Sequence, residues 1–212
     1  MAPRRATVPT PGRRPQFEAK QAAILAAAEE LFVADGYALA GVDAIAARAG
    51  VSKRTVYDHF GDKQTLFQAV LSRANERVVA TVRTAVEEEL VDGRDLRDAL
   101  FAFAQRVATT MFPSSDYATF RRLSSQAPAA PRLPEGQRDE PERILADRLA
   151  TFAADGRLRI RDPYRAMQHF IALTMRLALD TVNEAPSGMV DRPELDALIG
   201  DGVDVFLRAY RA

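Results

Sequence analysis

The stretch VDAIAARAGVSKRTVYDHFG, residues 42–61, restricts the fold more than any other part of this chain. Val42, Ile45, Ala46 and Ala49 recur at i, i+3, i+4 and i+7, the spacing of one helical face. Gly50 then ends that short helix, because only glycine takes φ > 0 without steric cost. Ser52 offers a hydroxyl to cap a second short helix reaching about His59. Two short helices joined by a tight glycine-containing turn make a helix-turn-helix. Ala46 has to be small where the second helix crosses the first, and Ile45, Ala49, Val51 and Val56 form the wedge between them.

The polar residues of the second helix suit a nucleic-acid groove. Lys53 and Arg54 carry reach and charge for base edges or phosphates. Thr55 has a hydroxyl for phosphate and a methyl group for thymine. Tyr57 is read as a DNA contact or as an aromatic packed at the edge of the unit. His59 is read as a phosphate contact or as a cation at the helix C-terminus. Asp62 is expected to cap a further helix from Lys63 to about Leu90. Lys63 itself, beside that helix N-terminus, is aimed at a phosphate.

The rest of the chain reads as helix. Phe17, Ile24, Leu25, Ala28, Leu31 and Phe32 share one face, and Asp35-Gly36 is expected to stop that helix. Beyond Gly93, helices are expected at 95–112, 115–127, 138–155, 163–184 and 193–211, separated by Pro113, Pro128–Pro134, Gly156, Pro163 and Pro186–Gly188. No segment alternates as a strand with hairpin turns. The fold class is therefore all-α. The expected organisation is a flexible basic arm at 1–15, a three-helix DNA-binding domain at 16–62, and a helical domain at 63–212. The arm's arginines (Arg4, Arg5, Arg13, Arg14) either enter a minor groove or belong to a solvated tail.

Composition narrows the function classes. The formal net charge is zero, although the first 63 residues hold nine Lys/Arg against seven Asp/Glu. There is no cysteine, which removes disulfides, thiolate nucleophiles and cysteine-bound zinc. No HExxH, GxSxG, P-loop or GxGxxG occurs, and the two histidines, His59 and His169, are far apart, so no enzyme, metal or cofactor is expected. No apolar run is long enough to span a membrane and no secretory leader is evident. The expectation is a soluble cytoplasmic protein with no membrane partner.

The run GY-x4-VDAIAARAGVSKRTVYDHFGDKQTLF, at about residues 17–67, resembles the N-terminal domain of the TetR family of regulators. The resemblance implies a homodimer that binds a double-stranded DNA operator, with contacts from Lys53, Arg54, Thr55, Tyr57, His59 and Lys63. One departure is Ala40-Gly41, where the family carries hydroxylated residues. A side-chain cap and a phosphate contact are lost there. The segments FRRLSSQAP (120–128) and ADRLATFAADGRLRIRDPYRAMQHF (146–170) look like the AefR-type C-terminal domain of that family.

In the second half, Leu195, Leu198, Ile199, Val203, Phe206, Leu207 and Tyr210 form one broad apolar stripe containing Gly200 and Gly202. Glycine inside a helix costs about 1 kcal/mol against alanine, so a close helix–helix approach is expected. The resemblance implies a homodimer interface on the last two helices; a purely internal core is the alternative. Phe101, Phe103, Met111, Phe112, Tyr117, Phe120, Phe152, Met167, Phe170 and Met175 are candidates to line a pocket for a small apolar or amphipathic ligand, or simply fill the core. Gln168, His169, Arg176 and Asn183 are candidate polar points. The functional expectation is a ligand-responsive repressor on a palindromic operator, against an architectural DNA-binding protein without an inducer.

Overall fold

Gly36, at φ 81° and ψ 163°, puts a kink into the first helix, α1 (Arg13–Leu39). Glycine carries such a conformation freely, so the first helical run ends there as expected, and a further short turn follows to Leu39. In this computed structural model of the protein, residues 13–127, 129–184 and 192–212 are described, with side chains at 13, 14 and 181–184 left aside. Most of the basic arm, Asn183 as a polar point and the break at Pro186–Gly188 lie outside what is described. After α1 come α2 (Val42–Arg48), α3 (Lys53–Phe60), α4 (Lys63–Glu89), α5 (Leu96–Arg106), α6 (Ser115–Ser124), α7 (Glu135–Arg138), α8 (Glu140–Ala154), α9 (Pro163–Ile171), α10 (Leu177–Glu184) and α11 (Arg192–Tyr210). The described residues contain no named strand, only an isolated antiparallel bridge between Leu158 and Arg211.

Two compact units emerge, one of residues up to Arg73 with Arg122–Arg132, the other of Ala74–Arg121 with Leu133–Ala212. The first is built on apolar burial from α1, α2, α3 and the start of α4. Ile24, Phe32, Ile45, Leu66 and Phe67 are fully buried. Phe67 meets Phe32 and Tyr37 edge-on, both at 5.0 Å between ring centroids, a favoured aromatic geometry. These contacts hold the opening turns of α4 in the first unit.

The second unit packs α5, α8, α9 and α11 around a core that includes Leu100, Phe103, Leu149, Phe170 and Phe206. Two π turns interrupt its helices, Val107–Met111 after α5 and Ala172–Arg176 between α9 and α10. The expected helices at 95–112 and 163–184 are thus each one element with a π turn inside. The expected helix at 138–155 is α8, and the short α7 precedes it, separated by Asp139 near φ −92°, ψ 6°.

The cost of glycine in α11 has a structural reason. A Cβ on Gly202 would stand 2.1 Å from the Leu173 carbonyl oxygen, inside the second π turn. Only a residue without a side chain lets α11 approach the backbone of that turn. Gly200 is different: a Cβ there would meet Arg97 and Phe101 at 3.7 and 3.9 Å, ordinary contact.

Candidate DNA-reading surface and ligand cavity

The helix-turn-helix forms as its spacing demands. Gly50 has φ 66°. Ile45, Ala46 and Val56 are buried between the helices, while Ala49 and Val51 are half-buried. Ser52 accepts the Thr55 amide at 3.1 Å and so caps α3. Asp62 accepts the Thr65 amide at 2.7 Å and caps α4. Those backbone bonds favour the charged carboxylate and hold the Asp62 pKa below its ordinary value. At the start of α2, Gly41 is extended and offers no side-chain cap, in line with the departure at Ala40-Gly41.

The six candidate contacts divide by what already holds them. Arg54 is almost entirely exposed, with only a 3.9 Å approach to Asp58 one turn on. Tyr57 is 41% exposed, an unusual state for a large aromatic ring. Lys53 is bonded to Asp43 of α2 at 2.9 Å, and that bond raises its pKa. Thr55 shares its hydroxyl with that of Ser52 at 2.9 Å. Lys63 is drawn inward: its ammonium donates to the Ala38 carbonyl at 3.3 Å and lies 4.8 Å from the centre of the Tyr37 ring. Desolvation there lowers its pKa. His59 stacks on Phe17 at 4.0 Å, and its Nδ1 is buried with no partner among the described residues. Arg54 and Tyr57 are therefore the least engaged residues on the outward face of α3, Lys53 is exposed there but paired with Asp43, and Thr55, His59 and Lys63 are engaged with the protein itself.

Sequence reasoning missed a clamp at the α1 kink. Beyond Gly36 the Tyr37 amide donates to Gln126 Oε1 at 2.7 Å. Gln126 Nε2 donates to the Phe32 carbonyl at 2.8 Å, and Arg122 Nε donates to the Val33 carbonyl at 3.0 Å. Two side chains from the end of α6 and the turn after it thus satisfy the backbone groups that the kink disturbs. The FRRLSSQAP string pointed to this segment, but nothing in its spacing marked Arg122 and Gln126 as backbone ligands of α1.

In the second unit, a cavity of about 480 Å³ opens among α4, α5, α6, α8 and the two π turns. Of the sequence candidates, Phe103, Met111, Phe112, Tyr117, Phe120 and Met175 line it, as does Arg176. Phe101, Phe152, Met167 and Phe170 do not. Phe170 packs between Phe103 and Phe206, and Phe152 is covered by the guanidiniums of Arg148 and Arg157 at 4.4 and 4.7 Å. Met167 is fully buried and Phe101 is half-buried beside the core. Gln168 is exposed, and His169 Nδ1 pairs with the Tyr210 hydroxyl at 2.7 Å, so neither faces the cavity. Among the described residues no cluster of His, Cys, Asp or Glu is arranged to hold a metal, and no helix is long and apolar enough to cross a membrane.

Comparison with known proteins agrees with this architecture. Residues 24–70 match the family of bacterial regulatory proteins, tetR family, and residues 98–212 match the AefR-like transcriptional repressor C-terminal domain. The chain is 36% identical over 124 residues to the HTH-type transcriptional activator FasR of Mycolicibacterium smegmatis, covering 56% of this chain and 57% of that protein. It is 41% identical over 64 residues to the HTH-type transcriptional repressor BepR of Brucella suis, covering 29% and 31%. The matches thus span little over half of the one relative and under a third of the other. Among solved structures, a TetR-family regulator from Mesorhizobium loti has TM-score 0.76 at 24% identity, over 93% of this chain and 99% of that one. The flavonoid-responsive regulator FrrA has TM-score 0.73 at 27% identity, over 91% and 97%. Regulators of this kind are non-enzymatic proteins that bind DNA and act as dimers.

Proposed function

Because this chain belongs to the TetR family of DNA-binding transcriptional regulators, with an AefR-like C-terminal domain, we propose that it is a ligand-responsive repressor that binds a palindromic operator as a homodimer. The observation that carries the reading is α3 itself: a capped helix, held from behind by buried Val56 and Ile45, that presents Arg54 and Tyr57 to solvent. Lys53, Arg54, Thr55 and Tyr57 supply the contacts in the major groove. His59 and Lys63 reach phosphates only after giving up the stack on Phe17 and the bond to Ala38. Repression follows from occupying a promoter site, a cytoplasmic task.

The dimer forms through α9–α10 and α11 of each protomer. Leu177 and Val205, 48% and 43% exposed on these helices, supply apolar area for it. Two α3 helices then stand about 34 Å apart, one turn of duplex. The cavity supports a sensing role over a purely architectural one, and FrrA, described as flavonoid-responsive, offers a precedent for ligand control in a similar fold. Two elements connect the two activities along the chain. Helix α4 carries Leu66 and Phe67 in the first core and Val78 and Val82 in the cavity wall. Helix α6 carries Tyr117, Phe120 and Arg121 in the cavity wall and leads into Gln126 at the α1 clamp. A ligand acts by favouring one state of these elements, through a coupling of about 1–3 kcal/mol.

The test is a band-shift titration of the full chain on the DNA upstream of its own gene, at moderate salt. A discrete shift, lost in Arg54→Ala/Tyr57→Ala protein that keeps its helicity, supports the reading. A shift that survives both substitutions, or no sequence-dependent shift, contradicts it.

A further inference from the structure

We infer that Gly202 and Thr174, neither of which lines the cavity, are positioning residues for its ligand: they hold the π turn Ala172–Arg176 in the shape that makes it part of the cavity wall. This rests on reading the cavity as the sensing site and adds the residues that set its shape from behind.

The turn has two occupied sides. On one, Ile171, Met175 and Arg176 line the cavity. On the other, the Leu173 carbonyl and the Thr174 methyl group lie against Gly202 of α11, where a Cβ would stand 2.9 Å from Thr174 Cγ2 and closer still to the carbonyl oxygen. A π turn is rare and concentrates at functional sites. Two features accommodate this one. Gly202 leaves room for the Leu173 carbonyl. Thr174, fully buried, donates its hydroxyl to the Phe170 carbonyl at 2.7 Å, a back-bond that tends to bend a helix. Thr81 and Thr151 make the same bond within α4 and α8, so the bond alone does not open a turn. At Thr174 it coincides with the gap left by Gly202.

Helix α11 is anchored on both sides of that gap. Asp196 accepts from Gln105 at 2.7 Å, and Asp204 takes both prongs of the Arg97 guanidinium at 2.6 and 3.1 Å. Phe206 meets Phe170 edge-on at 5.3 Å, and Ile199 and Val203 are fully buried. A methyl group added at position 202 therefore strains the turn rather than lifting the whole helix. Overpacking of this kind forces neighbouring side chains off their rotamers. The side chains next along the turn, Ile171 and Met175, are ones that line the cavity. A methyl group added at position 200 meets only Arg97 and Phe101, at 3.7 and 3.9 Å, and leaves the turn alone.

The chain contains no tryptophan, so a Phe120→Trp host of the full-length protein places a single emitter in the cavity wall. Its quenching is titrated with two uncharged dyes, Nile red and the smaller 1-aminoanthracene, and denaturant melts show which variants are folded. In this host Gly202→Ala is expected to weaken Nile red at least about tenfold and 1-aminoanthracene much less, while Gly200→Ala leaves both unchanged. Thr174→Val, which keeps the volume and loses the hydroxyl, is expected to shift the ratio of the two affinities in the same direction. Thr174→Ser, which keeps the hydroxyl, is expected to match the host. A role confined to stability lowers the melts without moving the affinities of the folded protein. Affinities in Gly202→Ala equal to those in Gly200→Ala, or both dyes weakened alike, overturn the inference. Where Gly202→Ala does not fold, the Thr174 pair decides: a shifted ratio in Thr174→Val that Thr174→Ser restores supports the inference, and no difference between the two overturns it. Quenching by neither dye in the host overturns the sensing-cavity reading, and this inference with it.

Discussion

The side-chain amide of Gln126 is bonded to both sides of the α1 kink, accepting from the Tyr37 amide at 2.7 Å and donating to the Phe32 carbonyl at 2.8 Å. Both bonds use groups that a continuous helix would satisfy internally. We expect Gln126→Ala to destabilise the protein by roughly 1–3 kcal/mol, because it leaves partly buried backbone groups without partners. If the clamp also transmits ligand binding, the variant binds ligand normally but releases operator less readily. Thermal melts and band shifts with and without ligand measure the two effects separately.

The two glycines of α11 are expected to respond to the same substitution with opposite sign. Gly202→Ala places a methyl group against the Leu173 carbonyl, where the closest atom is backbone and cannot move aside. It should cost roughly 1–3 kcal/mol as an overpacked site. Gly200→Ala meets only ordinary contacts and gains helix propensity of up to about 1 kcal/mol. Denaturant melts of the two variants against the parent decide this. Equal effects would mean that the π turn at 172–176 yields to α11.

Asp43 competes with DNA for Lys53, since the two are bonded at 2.9 Å. Replacing Asp43 with Asn removes that competitor and one negative charge from the surface that faces phosphates. Operator affinity at low salt is expected to rise severalfold, and the dependence of affinity on salt to steepen, as a released cation adds a phosphate contact. A salt series of binding titrations measures both.

The cap at Asp62 makes a contribution that depends on pH. Its folded-state pKa is lowered by the bonds from the Thr65 and Gln64 amides, the Thr65 bond most of all. A group with a depressed folded pKa stabilises the fold above its unfolded value of about 4 and loses that contribution as pH falls through the folded value. The gap in melting temperature between the parent and Asp62→Ala should therefore be widest near neutral pH and narrow steadily below pH about 4.

The local signals in the sequence carried much of this structure because each has a short-range cause. Gly50, Ser52 and Asp62 act on backbone within three residues of themselves, and their roles follow from spacing alone. The apolar stripe of α4 likewise placed Leu66, Val70, Ala74 and Val78 on a buried face. The candidate site was less legible. Lys63 and His59 look like free contacts in one dimension, yet each has a protein partner far away in the chain, Ala38 and Phe17. Of the aromatic and methionine candidates, Phe152, Met167 and Phe170 pack into the interior and Phe101 lies half-buried beside the core, and helical periodicity marks a buried face without saying whether the space opposite is filled. The Gln126 clamp depends on a kink and on a turn about 90 residues further along, which no local pattern encodes. Gly202 is an intermediate case: its position inside a helix signalled a close approach, but the partner, the Leu173 carbonyl in a π turn, came only from the fold.

The most direct test of the central claim is a footprint of the purified full-length protein on the DNA upstream of its own gene, with the binding stoichiometry measured on the same fragment. A two-fold symmetric protected site, with two protomers per site and half-sites about one duplex turn apart, is the expected result, weakened by Arg54→Ala/Tyr57→Ala. Protection without symmetry, a single protomer per site, or coverage spreading evenly along the fragment would contradict a dimer that reads a palindrome through α3.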